Sequence, residues 1–186
     1  MKAVVVSRAG GPEVLEVLER ELPSIKPGWS LVKVMGFGIN HSEIFTRQGL
    51  SPSVVFPRVL GIEMVGIIEE TSNPSRLPVG QKVVSIMGEM GRAYDGGYAE
   101  YALLPNDNLY TIETDLDWRD LASVPETYYT AYGSMKNLKI EAKDRILVRA
   151  GSSGVGQAFA KLVRARFPEV GLVASVRRLD KEEKIL

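Results

Sequence analysis

Short apolar runs broken by glycine and proline fill the first two-thirds of the chain, the pattern of short strands joined by tight turns. Lys2 to Ser7 is β-branched, Gly10-Gly11-Pro12 turns the chain, and a loosely alternating second strand follows around Val14 to Arg20. Leu22-Pro23 and Lys26-Pro27-Gly28 predict the next turn, and Ser30 to Met35 predicts a strand partly apolar on both faces. Glu63 to Glu70, Lys82 to Met87 and Gly97 to Leu104 continue the series, and Tyr94-Asp95-Gly96-Gly97 reads as a hairpin turn. Strands this short and closely spaced predict a small barrel or sandwich with mixed packing.

Helical spacing takes over later. Asn40 to Arg47 predicts one or two helical turns. Asp117 is placed to cap a helix starting at Trp118, with Asp120 in the acidic position three residues on and Pro125 as its stop. Thr127 to Leu138 predicts a helix with Tyr128, Ala131, Tyr132 and Met135 on one stripe, interrupted by Gly133. The continuous run Ile146-Leu147-Val148 predicts a parallel strand buried on both faces. Gly151-Ser152-Ser153-Gly154-Val155-Gly156 follows at once, then Val155, Phe159, Leu162 and Val163 at helical spacing, Pro168, and a second apolar strand at Leu172 to Val176. Arg145 to Val176 is therefore one βαβ unit, with a further helix expected near Asp180. Two parallel strands with one crossover leave a sheet face bare, so the expectation is a sheet that is C-terminally incomplete; the rival is a small domain completed by dimerisation.

Composition narrows the chemistry. The 186 residues carry 23 Lys+Arg against 23 Asp+Glu, which gives no electrostatic case for nucleic acid or a membrane surface. No stretch reaches the length of a membrane span, and the N-terminus runs into strand-like sequence without a signal-peptide core, so a cytoplasmic setting is expected. Without cysteine there is no disulfide, thiolate or sulfur-ligated zinc, and a single histidine, His41, forbids a His cluster; no metal is expected.

The glycine-rich turn has two readings. It can be a plain structural turn, since its spacing is not a strict G-x-G-x-x-G; or, between a buried strand and an amphipathic helix, it can offer backbone N–H groups to a pyrophosphate. At the end of the next strand a carboxylate would select NAD by binding the ribose 2′-hydroxyl. Here Ser175-Val176-Arg177-Arg178 stands instead, and two guanidiniums favour the 2′-phosphate of NADP(H), unless they are solvated surface charges.

Several segments together carry a resemblance: the opening MKAVVVSRAGGPEVLEV, Gly38-Ile39-Asn40-His41-Ser42-Glu43, Leu60-Gly61-Ile62-Glu63, Val79-Gly80-Gln81-Lys82-Val83, Gly96-Gly97-Tyr98-Ala99-Glu100-Tyr101 and Ala150 to Gly156. In this order and spacing the chain resembles the medium-chain dehydrogenase/reductases, in their zinc-independent quinone oxidoreductase and enoyl-reductase-like branch. The resemblance implies an α+β then α/β architecture: a GroES-like β-barrel catalytic domain over residues 1–123, then the first βαβ of a Rossmann domain over 124–186, with the active site between domains. Family chains run longer and carry a common dimer-forming strand, so a homodimer is possible for the whole protein.

Roles follow from the same resemblance. Zinc-dependent relatives have cysteine where Asn40 stands, histidine at Ile62 and cysteine near Glu126, whereas Glu63 is kept. Asn40 is expected to hydrogen-bond the nicotinamide or the acceptor, the alternative being a helix cap. Thr130 matches a threonine facing the nicotinamide ribose, or else packs its helix. Glu43, Arg47 and Glu126 are expected along the substrate cleft, Glu126 alternatively as a helix-start residue. Gly151, Ser153, Gly154 and Val155 would line the pyrophosphate, with Ser175, Arg177 and Arg178 at the 2′-phosphate. His41 as proton donor competes with a surface role. The implied activity is hydride transfer from NADPH to a quinone or α,β-unsaturated carbonyl. The alternatives are an enoyl or alkenal reductase and, from another class, a non-catalytic fragment that binds a partner or itself.

Overall fold

The computed structural model describes residues 1–178, and the helix expected near Asp180 lies outside the described residues. The chain divides into two compact units, Met1–Glu126 and Thr127–Leu186. No helix among the described residues is long and apolar enough to cross a membrane.

In the first unit, β1 (Lys2–Val6) pairs antiparallel with β2 (Leu15–Glu19) and with β4 (Arg58–Val59), giving the order β2-β1-β4. A five-stranded antiparallel sheet is built from β3 (Trp29–Gly36), β5 (Glu63–Thr71), β6 (Lys82–Ile86), β7 (Tyr101–Pro105) and β8 (Tyr110–Thr111), in the order β7-β3-β5-β6-β8. Ser30, Leu31 and Val32 are buried in succession, which strict alternation forbids; a register shift between Leu31 and Val32 rotates the strand there. Each sheet has its own core, one around Val32, Met64, Ile68 and Leu104, the other around Val5, Val6, Val59 and Leu60. The sheets meet where Val4 N–H donates to the Tyr98 carbonyl at 2.8 Å and Ala3 bridges Ala99.

Two expectations for this unit are corrected. The strand read from Gly97 begins only at Tyr101, because Gly97 and Tyr98 spend their N–H groups on the carbonyls of Gly61 and Leu60. The Tyr94–Gly97 segment is no hairpin: Asp95 accepts from Arg58 Nη1 at 2.9 Å and from Val59 N–H at 3.0 Å, and so pins β4. Helix α2 (Trp118–Ala122), following the short helix α1 (Ser42–Arg47), has the expected Asp117 cap, accepting from Asp120 N–H at 2.8 Å. It ends at Ala122, with Ser123 as its C-cap two residues before Pro125, and the same Pro125 opens α3 (Pro125–Leu138), where its missing N–H is harmless.

The second unit contains the expected βαβ: β9 (Arg145–Arg149), α4 (Gly154–Arg166) and β10 (Gly171–Ser175), with β9 and β10 parallel and Arg149 opposite Ser175. Ala131 and Met135 of α3 pack with Val148, Ala158, Phe159 and Val163. The Ile146-Leu147-Val148 run is not buried on both faces: Val148 points into this core while Leu147 is 63% exposed and Val173 64%. Among the described residues nothing covers that side of the two strands.

Candidate functional site

Asn40 lies just before α1, and its surroundings are built by four segments of the first unit. Its side-chain Nδ2 donates to Glu63 Oε1 at 2.7 Å, from the first residue of β5. Its backbone N–H donates to Glu43 Oε2 at 2.7 Å, the backward reach of an acidic residue in a helix's first turn. Asn40 therefore does not cap the helix with its side chain; the cap position is His41, which makes no side-chain cap bond. Glu63's second oxygen accepts the Glu126 N–H at 2.8 Å, fixing the start of α3. Gly38 makes room: a Cβ there would come within 2.8 Å of Glu63 Cδ.

Glu43 is 4% exposed, and both of its oxygens are taken. Oε1 accepts Ile62 N–H at 2.8 Å, while Oε2 accepts the Asn40 N–H and the Tyr98 phenol. Glu43, expected along the substrate cleft, thus has both oxygens engaged within the fold and braces the segment carrying Asn40. Burial pushes the Glu43 and Glu63 carboxyls above their ordinary value of 4.5, against the pull of these donors, and the neighbouring carboxylates add to the rise at Glu63. Burial raises the Tyr98 phenol as well, with the Glu43 hydrogen bond in support. Tyr98 also lies 4.8 Å, centroid to centroid, from the Phe37 ring.

Arg47 closes the other end of α1. Its Nε donates to the Gly10 carbonyl at 3.2 Å, and Gly10 N–H donates to the Arg47 carbonyl at 3.1 Å, so this residue ties a loop and is not held towards Asn40. His41 is exposed, with its ring edge-on to Phe45 at 5.5 Å. Glu126 is half-buried at the start of α3, and its N–H is the group that Glu63 holds.

In the second unit the glycine-rich turn is held by its main chain. Ala150 adopts a left-handed φ of 56°, Gly151 N–H donates to the Ser175 carbonyl at 3.0 Å, and Ser153 N–H donates to the Ala150 carbonyl at 2.9 Å. Ser153 caps α4, its Oγ accepting Gly156 N–H at 3.1 Å. Gly154 and Val155, exposed in the first helical turn, have N–H groups with no acceptor inside the helix. Gly156 is a packing necessity, since a Cβ would lie 2.5 Å from the Ala150 carbonyl and 3.1 Å from Gly151 Cα. The parallel register brings the ends of β9 and β10 together, so the turn after Arg149 and the exposed Ser175, Arg177 and Arg178 emerge at the same sheet edge. Thr130 is exposed on α3 of the same unit.

The structure thus gathers Asn40, Glu43, Glu63 and Glu126 in one unit, and Gly151 to Val155, Ser175, Arg177 and Arg178 in the other. Sequence reasoning missed Tyr98 and Gly38 as parts of the Asn40 surroundings. Both stand within the segments that carry the resemblance, but nothing local to them signals a partner 55 residues away in the chain for Tyr98 or a close approach for Gly38.

Residues 26–114 match the family described as alcohol dehydrogenase GroES-like domain. The human quinone oxidoreductase is 33% identical over 169 residues, covering 89% of this chain and 50% of the relative. The chain spans about half the length of the curated relatives it matches. A quinone oxidoreductase structure from Pseudomonas syringae pv. Tomato DC3000 superposes with a TM-score of 0.86 at 26% identity, covering 98% of this chain and 55% of that one. One from Thermus thermophilus, described also in its complex with NADPH, has a TM-score of 0.79 at 26% identity, covering 97% and 55%.

Proposed function

Because the chain belongs to the quinone-oxidoreductase-like branch of the medium-chain dehydrogenase/reductase superfamily, as its N-terminal portion, we propose that the protein reduces a quinone or an α,β-unsaturated carbonyl with NADPH and without zinc. The observation that carries the reading is the Ala150–Gly156 turn, whose Gly156 lets the main chain close tightly and whose Gly154 and Val155 N–H groups stay outside the helical ladder. Those amides, at a helix N-terminus, suit a pyrophosphate. Arg177 and Arg178 would take the 2′-phosphate in charge-assisted bonds, and a carboxylate that would repel it is absent from Ser175–Arg178.

When bound, the reduced nicotinamide supplies the hydride, and a conjugated acceptor spreads the resulting negative charge without a Lewis acid. Asn40 has one N–H committed to Glu63, which leaves its second N–H and its Oδ1 to orient the acceptor. Glu63 holds that amide and Glu43 the Asn40 backbone N–H, and Thr130 would contact the nicotinamide ribose. The residues do not fit catalytic zinc. Asn40, Ile62 and Glu126 offer an engaged amide, an aliphatic side chain and one carboxylate, and the chain has neither thiolate nor a second imidazole.

Turnover of 1,4-benzoquinone and 2-cyclohexenone by the chain, with NADPH and then NADH, tests the reading. We expect NADPH consumption with at least one acceptor, lost in Asn40→Ala. Equal rates with NADH, or none with either acceptor, would overturn it.

A further inference from the structure

On the outer side of α1 lies an open cavity of about 620 Å³, within the size range of small-molecule sites. Phe45, Leu50, Pro52, Ser53, Glu89 and Arg92 line it. The helix that sends Glu43 inward to brace Asn40 sends Phe45 outward to form one wall, so the cavity and the Asn40 surroundings share α1. Phe45 and Leu50 are exposed apolar surfaces, and His41 stands edge-on to the Phe45 ring. The opposite wall is the loop from Met87 to Arg92, where Glu89 is held at a left-handed φ of 69° and accepts a hydrogen bond from Ser53 Oγ.

Arg92 is the unusual member. Its backbone is fixed, with its N–H donating to the Glu89 carbonyl at 3.1 Å. The residue is half-buried; its guanidinium forms no ion pair or side-chain hydrogen bond among the described residues, and its Nε is buried without a partner. Its charge is nonetheless felt by Glu43 across α1. The buried Nε is a donor without an acceptor, and an anion reaching this guanidinium would supply one. The apolar walls meanwhile favour a flat, conjugated body.

We propose that this cavity is a binding site for flat, conjugated anions, with Arg92 pairing with a carboxylate or sulfonate on the ligand. The proposal stands apart from the reductase reading, because the anion preference is a property of the cavity itself.

The test needs no cofactor. Amide NMR titration of the chain with 1,4-naphthoquinone-2-sulfonate and with its neutral counterpart 2-methyl-1,4-naphthoquinone is expected to show about tenfold tighter binding of the sulfonate, the yield of one charge-assisted hydrogen bond. The largest shifts should fall in residues 45–53 and 89–92. Arg92→Met should abolish the preference and Arg92→Lys restore part of it. Glu89→Gln, which removes the opposing charge without changing shape, should tighten the sulfonate roughly threefold and leave the neutral quinone alone. Equal affinities in the wild type, a preference that survives Arg92→Met, or no response in Glu89→Gln would overturn the proposal. A chain that shows the preference but consumes no NADPH keeps the cavity and loses the reductase reading. A chain that reduces both quinones alike without any preference does the reverse.

Discussion

Asn40 in the first unit is held by side chains: Glu63 grips its amide, Glu43 its backbone N–H, and Tyr98 and Ile62 in turn hold Glu43. The Ser153–Val155 turn of the second unit is held by its own main chain, through Ala150, Gly151, Gly156 and the Ser175 carbonyl. The first arrangement buries carboxylates and must satisfy every oxygen, so it fixes one amide in one orientation at a cost in desolvation. The second leaves amide donors facing outwards and costs little, because glycine removes the side chains that would otherwise intrude. One suits the orientation of a reacting group, the other the embrace of a polyanion.

The sharpest way to break this contrast is Glu43→Ala. It strands the N–H groups of Ile62 and Asn40 and the Tyr98 phenol, and should cost about 3 kcal/mol of stability by urea unfolding, at roughly 1 kcal/mol or more per stranded buried donor. A loss below about 1 kcal/mol would mean that the corner is not braced as described. Gly156→Ala is next. Its Cβ meets backbone that cannot yield, so we expect about 2 kcal/mol of destabilisation together with loss of dinucleotide binding, read by unfolding and by titration.

The smallest effect is the pH dependence. Because burial raises the folded-state values of Glu43 and Glu63, the folded protein holds more protons than the unfolded chain above the ordinary value of 4.5. The contribution of these two groups is fully present below that value and is lost as pH rises through the elevated ones. Unfolding free energies measured from about pH 4 to 8 should carry this downward component, and Glu63→Gln should flatten it. A component that rises with pH in this window and vanishes in Glu63→Gln would contradict the assignment.

How much is legible from sequence differs between the units for a physical reason. The βαβ is a local object: an apolar run, a glycine turn and a 3.6-residue stripe all act within about ten residues, so β9, α4, β10 and the turn's place between them follow from spacing. The Asn40 corner is tertiary. Its bonds join residues 19, 23, 55 and 63 positions apart, which no periodicity encodes. Glu43, expected along the substrate cleft, has its oxygens engaged by Ile62, Asn40 and Tyr98, and Arg47, expected along the same cleft, bonds Gly10. Leu147 fails differently: its apolar character reads as burial on both faces, but burial needs a covering layer, and the described residues supply one to Ile146 and Val148 and none to Leu147.

The central claim is that the turn at 150–156 and the arginines beyond β10 form a site for a dinucleotide bearing a 2′-phosphate. Calorimetric titration of the chain with NADPH and NADH, repeated on the Arg177→Ala, Arg178→Ala double variant, tests it most directly. The account predicts that NADPH binds about tenfold or more tightly than NADH, and that the double variant erases the difference while leaving NADH affinity unchanged. Equal binding of the two by the wild type, or binding of neither, would contradict it.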